Sequence, residues 1–257
     1  MDAVRLLIDP PLPGPSNMAR DEALLAARTP ASRQPVLRFY AWSPPTISLG
    51  YFQDYDDYER LPPPLGTLDI VRRTTGGGAI LHDLEVTYSL TIPTEHPLVK
   101  GRPNRLYELA HEAVISAIGP EARVLGCDSE ACDTSRRHGP FFCFARRHGL
   151  DVVIDDPTSS DGVSKIAGSA QRRTQQAILQ HGSIMLDRRY PQQPTATWSD
   201  LSDEIDFDQA VERLAPAFEQ TLGMKLGHGE WREDELEAAK TFEDRYAGDA
   251  WTIHRQR

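Results

Sequence analysis

The most regular hydrophobic pattern in the sequence is a stretch in which every second residue is apolar. Hydroxyl side chains fill the positions between them in Val86-Thr87-Tyr88-Ser89-Leu90-Thr91-Ile92. A period of two places alternate side chains on opposite faces of an extended chain, so this stretch predicts a half-buried β-strand. Weaker strand patterns cover residues 36–42, 46–49, 68–72, 150–154, 165–170 and 177–186.

Apolar residues spaced three and four apart predict helices on both sides of these strands. The clearest helix opens at Asn104 and stops at Gly119-Pro120, with an apolar stripe of Leu106, Leu109, Ala110, Ala113, Val114, Ala117 and Ile118. Similar patterns predict helices over residues 17–28, from 208 to a stop at Gly223, and over 233–246. A central set of strands with flanking helices predicts an α+β domain with a mixed, mainly antiparallel sheet.

Composition narrows the possible functions. The chain has 257 residues, of which 39% are hydrophobic and 26% charged, so it is long enough to bury a full core. No apolar run approaches the ~20 residues of a membrane span, and the first ten residues lack a secretory pattern, which together predict a cytoplasmic protein without a membrane partner. A formal net charge of -10 argues against general binding of nucleic acid.

Three consecutive glycines form the most informative segment, Arg72-Arg73-Thr74-Thr75-Gly76-Gly77-Gly78-Ala79-Ile80-Leu81-His82-Asp83. Glycine costs about 0.5–1 kcal/mol relative to alanine inside regular structure, so a triplet is expected where a bend or a bound ligand needs bare main chain. The segment therefore predicts a ligand wall with Arg73 and His82 beside it. Taken alone, His82 is more typical of a satisfied structural histidine.

Cys143 and Lys165 are the candidate reactive side chains. Cys143 lies among phenylalanines, with two arginines and a histidine on each side over residues 136–148, and positive charge near a thiol favours the thiolate. A small buried hydrophobe is the alternative interpretation. Lys165 lies in a strand-like run next to the small residues Ala167-Gly168-Ser169-Ala170, which leave room for a ligand, although a surface lysine would fit the same pattern.

Together these segments resemble the biotin and lipoate protein ligase group, and within it the cysteine-dependent octanoyltransferases. The motifs that carry the resemblance are residues 17–24, 39–50, 72–83 with Thr87-Tyr88-Ser89, Pro140-Phe141-Phe142-Cys143-Phe144, 165–171 with Gln180-His181-Gly182, and 245–251.

The resemblance implies a domain of the class II aminoacyl-tRNA synthetase and biotin synthetase type. It implies a catalytic domain over residues 1–225 and a helical extension, residues 226–257, packed on it. It also implies that an acyl chain lies along the glycine-rich strand, with His82 near the mouth of the pocket. The acyl-binding residues implied are Arg73, Gly76, Gly77, Gly78, Ala79, His82, Gly168, Ser169, Ala170, His181 and Gly182.

The implied activity is an octanoyltransferase of lipoate biosynthesis with Cys143 and Lys165 as catalytic residues and without a metal or other cofactor. Cys143 would take the octanoyl group from acyl carrier protein as a thioester. The acceptor would be a lysine of a lipoyl domain, either that of the glycine cleavage H protein or that of a 2-oxoacid dehydrogenase E2. Lys165 would stabilise the thiolate and later help to deprotonate the acceptor amine, while backbone N–H groups of residues 168–170 would hold the oxyanion.

Both implied partners are acidic proteins, and three arginine pairs could form a docking patch for them. The pairs are Arg136 and Arg137, Arg146 and Arg147, and Arg172 and Arg173. Solvated loop arginines are the equal alternative.

The sequence leaves other functions open. An ATP-dependent lipoate ligase would use ATP and Mg²⁺ and no nucleophilic cysteine, and a lipoyl or octanoyl amidotransferase would use the same cysteine with another carrier domain as donor. A structural zinc module could use Cys127, Cys132, Cys143 and His138 or His148, although the spacing beyond Cys-x4-Cys is loose. Outside that module, Cys127 and Cys132 are expected to be structural thiols, since three cysteines cannot form a closed disulfide framework.

Overall fold

The computed structural model describes residues 3–26, 34–126, 139–202 and 204–256. Its strands are β1 (Val4–Ile8), β2 (Val36–Tyr40), β3 (Thr46–Leu49), β4 (Asp69–Arg72), β5 (Ile80–His82), β6 (Glu85–Pro93), β7 (Arg123–Val124), β8 (Val152–Asp155), β9 (Val163–Arg173), β10 (Ala177–Met185) and β11 (Leu226–His228). Its helices are α1 (Gly14–Ala26), α2 (Asp56–Glu59), α3 (Arg105–Ile118), α4 (Phe207–Leu222), α5 (Glu233–Ala247) and α6 (Asp249–Thr252).

The strands form two sheets. Within the described ranges the larger sheet has eight strands in the order β11-β1-β2-β6-β10-β9-β8-β7, and the smaller has three in the order β4-β3-β5. β1 runs parallel to β2 and β11, and the other neighbouring pairs of the large sheet are antiparallel. The predicted α+β class with a mixed, mainly antiparallel sheet is confirmed.

The alternating strand is β6, and its apolar side chains pack as the pattern predicts. Val86, Tyr88, Leu90 and Ile92 join the main core with α3 and α4. The hydroxyl residues Thr87, Ser89 and Thr91 are buried as well, which makes the prediction of a half-buried strand wrong. The reason is that α1 and the small sheet cover the face that the sequence pattern assigns to solvent.

An early strand, β1, and a late strand, β11, lie side by side at one edge of the large sheet. Residues 4–8 carry no predicted strand in the sequence analysis, yet they form β1 and pair with both β2 and β11. The helix α5 packs along α1. The sequence-based boundary between residues 225 and 226 therefore falls at an edge strand of the same sheet.

Helix α4 shows why its ends fall where they do. The Asp206 side chain accepts a hydrogen bond from the Gln209 backbone N–H at 2.8 Å, and the Gln209 side chain accepts one from the Asp206 N–H in return. The helix ends at Gly223, whose φ of 65° is left-handed. Across the described residues, no helix combines the length and the apolar character that crossing a membrane requires.

Candidate active site

A cavity partly open to solvent lies where the small sheet faces β6, β9 and β10, and it encloses about 420 Å³ when the adjoining open space is included. Its walls are formed by Met18, Tyr40, Trp42, Ser48, Arg73, Gly76, Gly77, Ile80, His82, Thr87, Cys143, Gly168, Ser169, Ala170, His181, Gly182 and Ser183. All the sequence-predicted site residues except Gly78, Ala79 and Lys165 are therefore in the cavity wall.

The glycine segment forms one wall, and Arg73 fixes its backbone. The buried guanidinium donates from Nη2 to the carbonyl oxygens of Gly76 at 2.9 Å and Gly78 at 2.6 Å, and from Nη1 to Ser48 O at 2.8 Å. Gly77 has a φ of 96°, a conformation that residues with a side chain rarely adopt. Burial lowers the pKa of Arg73 to about 10, so the clamp stays charged at neutral pH.

Cys143 lies directly against this wall. The Cys143 N–H donates to Ala79 O at 2.7 Å, and the Ala79 N–H donates to Phe141 O at 2.9 Å. Cys143 Sγ lies 3.6 Å from Lys165 Nζ, and Lys165 also faces the ring of Phe144, whose centroid is 5.5 Å from Nζ. Gly78 and Ala79 thus join the wall to the cysteine segment without lining the cavity.

Lys165 is buried, so the surface interpretation of this lysine is wrong. Its Nζ is 2.8 Å from Asp151 Oδ1, and the two side chains are only 3% and 8% exposed. The other carboxylate oxygen of Asp151 accepts a hydrogen bond from the His148 N–H at 2.8 Å. Burial opposes the ammonium form, but the negative charges of Cys143 and Asp151 outweigh it, and the pKa of Lys165 is raised above its ordinary value.

Asp151 is the main residue that the sequence analysis missed. It comes directly before the apolar run Val152-Val153-Ile154, which becomes β8 and pairs with the strand of Lys165. A buried cation requires a buried counter-charge, so an acid at the start of a neighbouring strand was the available signal.

The opposite wall comes from β9 and β10. The two strands pair Ala170 with His181, Ser169 with Gly182, and Gly168 with Ser183, and every one of these residues except His181 is small. The pairing of β9 with β8 reaches only as far as Ala167. The edge of β9 beyond Ala167 therefore has no strand partner among the described residues, and the expectation that backbone N–H groups of residues 168–170 hold an oxyanion stays a prediction.

His82 lies inside the cavity wall rather than at an open mouth, with 3% of the residue exposed. Its ring stacks on Trp42 at a centroid distance of 3.8 Å, Nε2 is 2.7 Å from Ser48 Oγ, and Nδ1 is 2.8 Å from Glu85 Oε1. Burial lowers the pKa of His82 despite the attraction of Glu85. His82 is therefore a satisfied core histidine that also lines the cavity.

His181 connects the cavity to a buried charge cluster. Its Nε2 is 2.7 Å from Thr75 Oγ1 and its Nδ1 is 3.2 Å from Asp21 Oδ2. Arg38, which is fully buried, binds Asp21 at 2.8 Å and Asp9 at 2.7 Å. The sequence analysis did not identify this cluster, because an arginine within a strand gives no sign of which acids the fold brings to it.

Part of the predicted docking patch lies within the described residues. Arg146 donates to Pro140 O at 2.7 Å, and Arg147 pairs with Asp161 at 2.9 Å. Arg136 and Arg137 lie outside the described residues, so the patch stays a prediction.

Cys127, Cys132 and His138, three of the ligands proposed for a structural zinc ion, also lie outside the described ranges, so the zinc module stays a prediction. Within those ranges, no group of three or more His, Cys, Asp or Glu side chains is arranged to hold a metal ion.

Named relatives resemble this chain over nearly its whole length. The octanoyltransferase LipM of Kyrpidia tusciae is 32% identical, with 93% of this chain and 94% of the relative covered. LipM of Symbiobacterium thermophilum is 32% identical over 98% of each chain, and LipM of Bacillus subtilis is 30% identical over 93% and 94%.

Solved structures show the same fold. A lipoate-protein ligase A bound with ATP matches with a TM-score of 0.75 at 21% identity, covering 98% of this chain and 99% of that one. A bi-partite lipoate protein ligase from Thermoplasma acidophilum, studied with its E2 lipoyl domain, matches with a TM-score of 0.72 at 23% identity, covering 100% and 98%. These likenesses confirm the predicted synthetase-like fold class, and at such identity they speak for the fold alone.

The family model of the lipoyl protein ligase A/B catalytic domain matches residues 13–218, a range that contains the glycine segment, Cys143 and Lys165. With this match and relatives at 30% identity or more over most of its length, the chain belongs to the lipoyl protein ligase A/B catalytic domain family.

Proposed function

We propose that this protein is an octanoyltransferase that carries the octanoyl group on Cys143 from acyl carrier protein to a lysine of a lipoyl domain. The observation that carries the proposal is the 3.6 Å separation of Cys143 Sγ and Lys165 Nζ beside the glycine wall of the cavity. The relatives named octanoyltransferase support the same reaction, and each covers 93% or more of this chain.

In the first step the Cys143 thiolate attacks the carbonyl carbon of the donor thioester. The new Sγ–C bond forms, the C–S bond to the carrier breaks, and the carrier thiolate leaves and takes a proton from water. The Lys165 ammonium stabilises the attacking thiolate. One thioester replaces another, so the step needs no external energy source.

In the second step the free amine of the acceptor lysine attacks the Cys143 thioester. The N–C bond forms, the Sγ–C bond breaks, the nitrogen releases a proton, and the Cys143 thiolate is regenerated next to Lys165. An amide is more stable than a thioester, so the step runs downhill without ATP.

The cavity suits an unbranched acyl chain. Met18, Trp42 and Ile80 supply apolar walls, and Gly76 and Gly77 present main chain that an alkyl chain can contact directly. Each buried methylene contributes about 0.8 kcal/mol of binding free energy. The chain would therefore be held mainly by its hydrocarbon, with its carbonyl carbon at Cys143.

Intact-mass analysis tests the proposal. Incubation with octanoyl-acyl carrier protein should add one octanoyl group to the wild-type protein. A lipoyl domain added afterwards should take up this octanoyl group, and the enzyme should return to its unmodified mass. Cys143→Ala should show no adduct, whereas the Cys127→Ala, Cys132→Ala double variant should react as the wild type does.

A second arm distinguishes transfer from ligation. Free octanoate with ATP and Mg²⁺ should leave the lipoyl domain unmodified. Modification of the domain under those conditions by the Cys143→Ala variant would overturn the transferase proposal in favour of an ATP-dependent ligase.

A further inference from the structure

We propose that Asp151 is a positioning residue that keeps Lys165 protonated through both acyl-transfer steps, so that Cys143, Lys165 and Asp151 act as one unit. The inference rests on the proposed function and deepens it, because it assigns a fixed charge state to the lysine of the reaction.

The geometry gives one buried cation two acceptors. Lys165 Nζ is 2.8 Å from Asp151 Oδ1 and 3.6 Å from Cys143 Sγ. The second oxygen of Asp151 is occupied by the His148 N–H, which fixes the orientation of the carboxylate. Asp151 therefore holds Nζ in position next to the sulfur.

The need for Asp151 arises when the enzyme is acylated. The thioester sulfur carries no charge, so the negative charge on Cys143 is absent when the second step begins. Asp151 is then the carboxylate in contact with Nζ. A buried ammonium without a partner would give up its proton, because burial disfavours the charged form. The thiolate that leaves in the second step would then have no adjacent cation.

The other titratable groups near this pair do not replace Asp151. His111 of α3 interacts with both Lys165 and Asp151, and burial lowers the pKa of His111 to about 4, so it is neutral during catalysis. His148 contacts Asp151 through its backbone, and Arg73 and Arg146 bring further positive charge close to the wall and Cys143. Among these described groups, Asp151 is the acid in direct contact with Nζ.

A fixed ammonium also changes the role that the sequence analysis gave to Lys165. A lysine that stays protonated cannot accept the proton of the incoming amine. The acceptor must therefore enter as the free amine, or lose its proton to water, while Lys165 acts on sulfur alone.

Lysine titration by NMR tests the charge state without requiring any acylation. In Cys143→Ser, which lacks the thiolate, the ¹³Cε signal of Lys165 should stay in its ammonium position past about pH 10, the ordinary range of lysine. In Cys143→Ser, Asp151→Asn the midpoint should be lower. A Cys143→Ser midpoint below the ordinary lysine value would overturn the proposal, even if the double variant did not fold.

The pH dependence of the second step gives the functional readout. Transfer from octanoyl-enzyme to a lipoyl domain should stay high toward alkaline pH in the wild type, whereas Asp151→Asn should fall away and be about a hundredfold slower there, a loss typical of removing one charge-stabilising group. Asp151→Glu should restore the wild-type shape.

Asp161→Asn is the matched control, since it removes an acid paired with Arg147 in the same region but not in contact with Lys165. It should keep the wild-type profile. A reduction by the same factor at every pH in Asp151→Asn would show a merely structural role and would overturn the inference. Failure of Cys143 to accept octanoyl, with the NMR result as expected, would instead count against the proposed function.

Discussion

Replacing Gly168 by alanine would put a methyl group into the space that the end of Lys165 occupies. A Cβ at position 168 would lie 2.4 Å from Lys165 Cε and 2.7 Å from Nζ, and the next atom, Asp151 Oδ1, is 3.7 Å away. Since non-bonded carbon atoms sit about 3.5–4.0 Å apart, the end of the lysine must retreat by roughly 1 Å. The backbone is not obstructed, so the change acts on the lysine and not on the strand.

The expected effect is loss of catalysis with little loss of stability. Displacement of Nζ by this amount should disturb the geometry of its 3.6 Å contact with Cys143 Sγ, and a displacement of about 1 Å in a catalytic group can cost about a hundredfold in rate. The free energy of unfolding should change by no more than about 1 kcal/mol, since alanine is itself favoured over glycine in regular structure.

Single-turnover transfer from octanoyl-acyl carrier protein, with thermal unfolding measured alongside, separates the two effects. Gly227→Ala is the matched control because Gly227 also lies in a strand, where an added Cβ meets no atom within 4 Å. It should leave the rate unchanged and the stability equal or higher by up to about 1 kcal/mol. A Gly168→Ala enzyme that acylates Cys143 at the wild-type rate would refute the reasoning that this glycine makes room for Lys165.

Three further predictions concern stability. His111 is buried in its neutral form, with a pKa of about 4 against 6.5 for a free histidine. Between these two pH values the unfolded chain binds a proton at this histidine and the folded chain does not, so the free energy of unfolding should fall by up to about 3 kcal/mol as pH drops from 6.5 toward 4. His111→Gln should flatten that part of a urea-denaturation pH series, and an unchanged slope would contradict the assignment. Arg38→Met should cost about 3–5 kcal/mol in urea denaturation, because two carboxylates lose their buried partner, and a cost below 1 kcal/mol would contradict this. Trp251→Phe removes the Nε1–H bond to Arg72 O at 2.7 Å together with one of the two fused rings of the buried indole, and it should cost at least about 1–3 kcal/mol by thermal unfolding, whereas no change would mean that neither contributes.

Local patterns in the sequence predicted most strands and helices correctly, but they predicted the burial of side chains and the pairing of strands less well. The alternation in residues 86–92 identified β6 correctly, but it could not show that α1 and the small sheet bury the hydroxyl side as well. Residues 4–8 form a strand only because β2 and β11 lie on either side, and those partners are distant in sequence.

The candidate site shows the same division. The glycine triplet, Cys143 and Lys165 have unusual chemistry or spacing, so each could be selected from the sequence, and the structure brings them together. Asp151 and Arg38 carry ordinary charges at ordinary positions. Their importance comes from burial and from partners on other strands, which the sequence does not display.

The backbone hydrogen bonds between Ala79 and the cysteine segment have a consequence for fidelity. The glycine wall and the nucleophile are joined through Ala79, so under the proposed function an acyl chain of the wrong length that displaced this wall would be expected to displace Cys143 as well. Discrimination among acyl chains should therefore appear as slower turnover of mismatched chains rather than as weaker binding, because the wall of the cavity would help to set the position of the sulfur.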